Sequence, residues 1–178
     1  YADCYEGWLY QYNDTLLATY FSSRLLAPNP ETFEFYSEQA HLQFEQMISF
    51  TTDAHAQYQE DSDHECFFEV CATHVSGFMT AVTRFHAARA AVIGPHRPGG
   101  PLDEILAQFE LLKWSKLFED DLAAFNRQLE DWTNFDEMYF INQHFERLLF
   151  EVGVFPDQLN DGSLYIHTSG EQRLASRA

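Results

Sequence analysis

The sequence predicts an all-α fold, a compact bundle of five or six helices of unequal length. Three observations carry this. Apolar residues recur at spacings of three and four through most of the chain, strand-type alternation is absent outside one five-residue stretch, and the breaks between periodic segments hold helix start and stop residues. At 178 residues the chain is long enough to bury a sizeable core in one domain. That domain is expected over residues 1–156, with 157–178 as a loosely attached or disordered tail.

From Tyr5 to Ala27 the residues Trp8, Leu9, Tyr12, Leu16, Ala18, Tyr20, Phe21, Leu25 and Leu26 follow the helical period, which predicts one or two helices. "APNPE" stops them, and Asn29 as N-cap with Pro30 at the first helical position starts the next. A long helix follows, with Phe33, Tyr36, Ala40, Phe44, Met47, Ile48 and Thr51 as its apolar stripe and Glu34, Glu38, His41 and Glu45 beside or opposite it. The polar run "QEDSDHE" ends it, and Asp61, Ser62 or Asp63 is placed to cap a third helix. There Phe67, Cys71, Val75, Phe78, Val82 and Phe85 form a core face, and Gly77 marks either a close packing approach or a break.

"IGPHRPGGP", residues 93–101, is a loop. Pro101 opens a further helical segment through Leu102, Ile105, Leu106, Phe109, Leu112, Leu117, Leu122, Phe125 and Leu129, with a bend expected near Glu119 to Asp121. Asn134 and Glu137 have the spacing of a capping box. The last helix runs through Met138, Ile141, Phe145, Leu148, Leu149 and Val152 to Gly153 as its stop. Beyond Pro156 periodicity is lost, and "SLYIH" reads as a short strand or a docking stretch.

Charge narrows the partners. With 28 acidic against 10 basic side chains, a net of -18, the surface repels phosphate backbones and anionic lipid, so neither nucleic acid nor a membrane surface is expected. A basic or amphipathic peptide fits better. No apolar run approaches the roughly 20 residues that span a bilayer, so no membrane insertion is expected. Cys4, Cys66 and Cys71 lack framework spacing, and Cys66 and Cys71, five apart on one helix, are poorly placed for a disulfide. This favours a reducing compartment. The start at Tyr1 keeps an excised fragment and a processed, secreted helical effector open as alternatives.

Catalytic signatures are absent. Neither G-x-S-x-G nor a phosphate-cradling glycine loop occurs, so no enzymatic activity and no cofactor are expected. Glu38 and His41 have the Glu-x-x-His offset of carboxylate-bridged metal bundles, but "INQH", residues 141–144, places Ile where a second glutamate would stand. A metal-binding or cofactor-binding bundle on Glu38 and His41 is therefore the alternative. Cys71-x-x-His74, with His64 and Cys66 upstream, offers zinc-type ligands without a second cluster, and Cys71 lies on the apolar stripe.

The aromatic surplus, 17 Phe, 9 Tyr and 3 Trp, exceeds what a small helical core needs and predicts an apolar groove for a protein partner. Trp114, Phe118, Phe140 and Phe150 fall off their helices' main stripes. With Phe109 and Leu112 they make up the expected groove, unless a sixth helix or the tail covers them.

"FYSEQAHLQFEQMI" and "DEILAQFELLKWSKLF" resemble two helices of the BART-like domain. His41, Phe44, Met47 and Ile48 match the first pattern, and Phe109 followed four positions later by Lys113 matches the second. The resemblance covers about 30 residues directly and about 120 in helix order and length. It implies a non-catalytic effector that holds the N-terminal amphipathic helix of an Arf-like small GTPase in a hydrophobic groove, in a cytoplasmic, ciliary or flagellar setting.

Overall fold

The computed structural model describes residues 2–26, 29–92, 100–128, 138–158, 164–169 and 174. Among the described residues the fold is a bundle of six helices with one small hairpin: α1 (Ala2–Leu26), α2 (Pro30–Asp61), α3 (His64–Val92), α4 (Gly100–Gln108), α5 (Leu112–Arg127), α6 (Tyr139–Glu151), β1 (Val154–Gln158) and β2 (Leu164–Thr168).

Helices α2 and α3 form the frame. Asn29 caps α2 by accepting a hydrogen bond from the Glu31 amide at 3.1 Å. Ser62, at φ 58 and ψ 27, closes its far end with a left-handed turn. Asp63 then starts α3 by accepting from the Cys66 amide at 3.1 Å. The two-residue connection makes the pair antiparallel, and the ring contacts trace the register: Phe33 meets Phe85, Phe44 meets Phe78, Phe50 meets His74 and Tyr58 meets His64. The predicted α3 stripe from Phe67 to Phe85 is buried throughout. Gly77 is a packing approach and not a break, since α3 continues through it and a Cβ there would lie 3.2 Å from Oε1 of Gln43 on α2.

Helix α1 lies across α3, where the Tyr12 hydroxyl donates to the Ser76 carbonyl at 3.0 Å. It is joined to α6 by the buried Asn13–Asn142 hydrogen bond of 2.7 Å. Leu9, Leu16 and Tyr20 enter the core, whereas Ala18, Leu25 and Leu26 stay exposed.

Two expectations are corrected. The segment after Pro101 does not run on to bend at Glu119–Asp121; it breaks at Phe109–Leu111, where Glu110 takes a left-handed φ of 61, and the helix is continuous through 119–121. The buried positions explain the break. Leu102, Leu106, Phe109, Leu111, Trp114, Phe118, Leu122 and Phe125 are all buried, and the step of two between Phe109 and Leu111 has no place in a continuous helical stripe. Leu117, expected in the core, is 50% exposed in consequence.

The second correction concerns the tail. The boundary expected at 156 falls inside β1, which pairs antiparallel with β2 from Val154 opposite Thr168 to Gln158 opposite Leu164. Ile166 and Leu174 are buried, and the Leu174 amide bonds the Glu151 carbonyl at 3.3 Å. The described part of 157–178 is thus packed on the bundle, with "SLYIH" in part a strand. The Asn134–Glu137 capping pair, Leu129 and most of the 93–101 loop lie outside the described residues.

Candidate binding surface

The expected groove is not an open surface. Trp114 is 6% exposed and Phe118 fully buried, because α6 covers them: His144 of α6 packs 4.9 Å from the Phe118 ring and 6.2 Å from Trp114. Trp114 stacks on Phe118 at 5.7 Å and reaches Phe78 of α3. Phe109 is buried edge-on against Phe44, at 4.9 Å. Phe140 is half-buried between Phe125 and His144. Phe150 lies elsewhere, stacked on Phe155 of β1. Leu112, Phe140 and Phe150 are half-buried, and Leu112 lines a hollow at the α4–α5 break. Phe109, Trp114 and Phe118 are core, and the helix that covers Trp114 and Phe118 is the one whose His144 donates to Asp121 of α5 at 2.8 Å.

Beside Phe118 lies a polar cluster around a buried histidine that no motif announced. His86 of α3 is fully buried. Its Nε2 is 3.1 Å from Ser115 Oγ and its Nδ1 is 3.2 Å from the Arg89 guanidinium. Arg89 grips Glu119 of α5 with both Nε, at 2.8 Å, and Nη2, and reaches Asp103 of α4 at 3.5 Å. A serine, a histidine and a carboxylate in contact invite a catalytic reading, and the proton positions oppose it. Arginine only donates, so Nδ1 accepts and Nε2 carries the proton, donating it to Ser115. Activating the serine requires Nε2 to accept instead. Burial and the Arg89 charge hold the His86 pKa well below 6.5, consistent with a neutral ring. With Ser115 only 1% exposed, the cluster is a clamp tying α3, α4 and α5 together.

His41 and Glu38 do not assemble a metal site. His41 contacts Glu45 at 3.3 Å, one turn on, Glu38 is exposed, and no group of three or more potential metal ligands gathers among the described residues. Cys66 and Cys71 are free. Cys71 is buried on its stripe, which pushes its thiol pKa up to about 12. The Cys4 side chain lies outside the described residues.

Among the described residues, Leu25 and Leu26 are exposed at the end of α1, and an aligned apolar stripe lies on the outward side of α2. Phe35, Leu42 and Phe50 are 54%, 48% and 46% exposed. Spaced by seven and eight, they lie within about 80° of one another around the helix, opposite the Phe33–Phe44–Thr51 core stripe, and extend for about 22 Å. Seven carboxylates stand on the same helix, Glu31, Glu34, Glu38, Glu45, Asp53, Glu60 and Asp61, all exposed, and α2 contains no Lys or Arg.

The stripe leads into a groove between α2 and α3 of about 190 Å³, with Phe50, Ala54, Phe67 and Val70 as apolar wall and Asp53, Asp61 and Asp63 on the rim. Phe50 is held there by stacking on His74 at 4.2 Å and 8°. A second, wider hollow of about 550 Å³ lies at the α4–α5 break, where Leu112 and Leu117 sit among Lys113, Lys116, Glu110 and Asp120. These are the only two lysines of the chain. Its mixed charge selects no particular partner, whereas the α2 face has one sign throughout.

No helix among the described residues is long and apolar enough to cross a membrane. No protein-family model, no curated protein and no solved structure matches this chain.

Proposed function

We propose that the protein is a non-catalytic helical module that binds an amphipathic helix of a protein partner. The observation that carries this is the exposed Phe35–Leu42–Phe50 stripe on α2. Three large apolar side chains aligned on a solvated helix face cost solubility and contribute little to the core, and such aligned anchors are what helix-in-groove recognition uses. The buried Ser115–His86 pair supports the same reading by having the wrong tautomer and no access for a substrate. An Arf-like small GTPase is the partner class that the two resembling helices imply.

Affinity capture from lysate supplemented with a non-hydrolysable GTP analogue or GDP tests this, with the triple variant F35S/L42S/F50S as control. A protein retained by the wild type and lost with the variant, at unchanged helical circular dichroism, is the expected result. Retention of a small GTPase only with the GTP analogue identifies the partner class. A partner held equally by wild type and variant refutes the α2 stripe as the binding face.

A further inference from the structure

Resting on the binding-module reading, we propose that the groove between α2 and α3 is the anchoring end of the site and that its occupant is a basic amphipathic helix. That helix lays its apolar face along Phe35, Leu42 and Phe50, places one large side chain in the groove, and pairs Lys or Arg with Asp53, Asp61 and Asp63.

Size decides the kind of occupant. A hollow of about 190 Å³ is smaller than the roughly 300–1,000 Å³ of sites that enclose a small-molecule ligand. It suits a single inserted side chain, with the rest of the ligand lying outside on the α2 stripe. Phe50 belongs to both surfaces, so stripe and groove form one continuous apolar track.

Charge decides the sign of the partner. No Lys or Arg lines the groove or stands on α2. The local structure accounts for two of the rim carboxylates: Asp61 accepts from the Asp63 amide at 2.9 Å, and Asp63 caps α3. Asn performs both of these tasks equally well, so a negative charge at these positions is not needed for the turn. Asp53 and Glu60 take part in neither cap. Asp53, Asp61 and Asp63 line the groove beside its apolar wall, so a cation on the proposed helix would meet carboxylate and apolar floor together, the arrangement in which opposite charge steers and orients a bound helix.

The probe is a fluorescein-labelled 18-residue peptide of Leu and Lys patterned at helical period, with a Leu and Glu peptide of the same pattern beside it, titrated into the whole chain by fluorescence anisotropy. Two variants of equal net charge are compared, D53N/D61N/D63N at the groove and D14N/E104Q/D120N at exposed positions elsewhere; each changes -18 by three, to -15. The Lys peptide is expected to bind and the Glu peptide not. The groove variant is expected to weaken binding at least about fivefold, while the remote variant changes it less than about twofold. Phe50→Ala is expected to cost about tenfold or more, as loss of an aromatic anchor does.

Equal weakening by the two triple variants overturns the assignment, because the attraction is then diffuse. Absence of Lys-peptide binding to the wild type overturns it too. Either result leaves the binding-module reading to the capture experiment, in which a partner retained by the wild type and lost with F35S/L42S/F50S still supports it.

Discussion

Phe118→Ala separates a core residue from a groove residue at one position. Phe118 is fully buried, stacked on Trp114 at 5.7 Å and packed 4.9 Å from His144 and 6.2 Å from His86. Its ring thus joins α3, α5 and α6. Truncation removes that contact area and leaves a cavity that three helices cannot collapse into, so the cost is about 3–5 kcal/mol. In a chain of this size each kcal/mol moves the melting midpoint by roughly 2–4 °C, which predicts a fall of roughly 6–20 °C. Urea denaturation followed by far-ultraviolet circular dichroism gives the free energy itself. Leu117→Ala is the internal control, one residue away and 50% exposed, with a cost below about 1 kcal/mol. A loss under about 1 kcal/mol for Phe118→Ala, or equal losses for the two, refutes the burial of this ring beneath α6.

Three further outcomes are expected. Burial and the Arg89 charge hold the folded pKa of His86 well below 6.5, so the unfolded chain binds the proton first. Stability is therefore complete above about pH 6.5 and falls as pH drops below it, with a slope approaching about 1.4 kcal/mol per pH unit for that proton; urea midpoints from pH 7.5 to 5.5 should decline, less steeply in His86→Gln, and a wild-type curve as flat as the variant's removes the neutral buried imidazole. Gly153→Ala should destabilise by about 1–2 kcal/mol, because its φ is +81 and a Cβ would meet Ser169 Oγ at 3.0 Å. Gly77→Ala meets only the far end of the Gln43 side chain and should gain up to about 1 kcal/mol from helix propensity, and the same sign for both in thermal melts would contradict the backbone described.

Much of the architecture was legible because it rests on local chemistry. Asn29 before Pro30, the Asp63 cap and the left-handed Gly153 are decided within a few residues of the backbone they serve, and the α3 stripe from Phe67 to Phe85 follows the helical period without a slip. The break at Glu110 was also written in the sequence, as the two-residue step from Phe109 to Leu111, but spacing alone does not say which apolar residues enter the core. Leu117 looked like a core residue and is exposed, while Trp114 and Phe118 looked surplus and are buried. That assignment is made by α6, more than twenty residues further on. The His86–Arg89–Glu119 clamp was invisible for the same reason: its members come from α3 and α5, and only packing brings Ser115 to the imidazole.

The α2 stripe could have been read from the sequence, whereas Trp114 and Phe118, which the aromatic surplus singled out, are buried. Phe35, Leu42 and Phe50 repeat at seven and eight on the side of the helix opposite its core, a pattern that core burial does not require. Charge on the same helix sharpens the point. Carboxylates favour the start of a helix and oppose its end, where the backbone dipole is negative, yet Glu60 and Asp61 close α2 with no basic residue in its last turn. Asp61 is repaid locally, since it caps the turn into α3; Glu60 and Asp53 are not. Seven like charges on one helix with no Lys or Arg to pair at i, i+4 work against its stability, and the core stripe has to offset that. A partner that brings cations together with an apolar face, as proposed above, would relieve the carboxylate repulsion and cover Phe35, Leu42 and Phe50 at once.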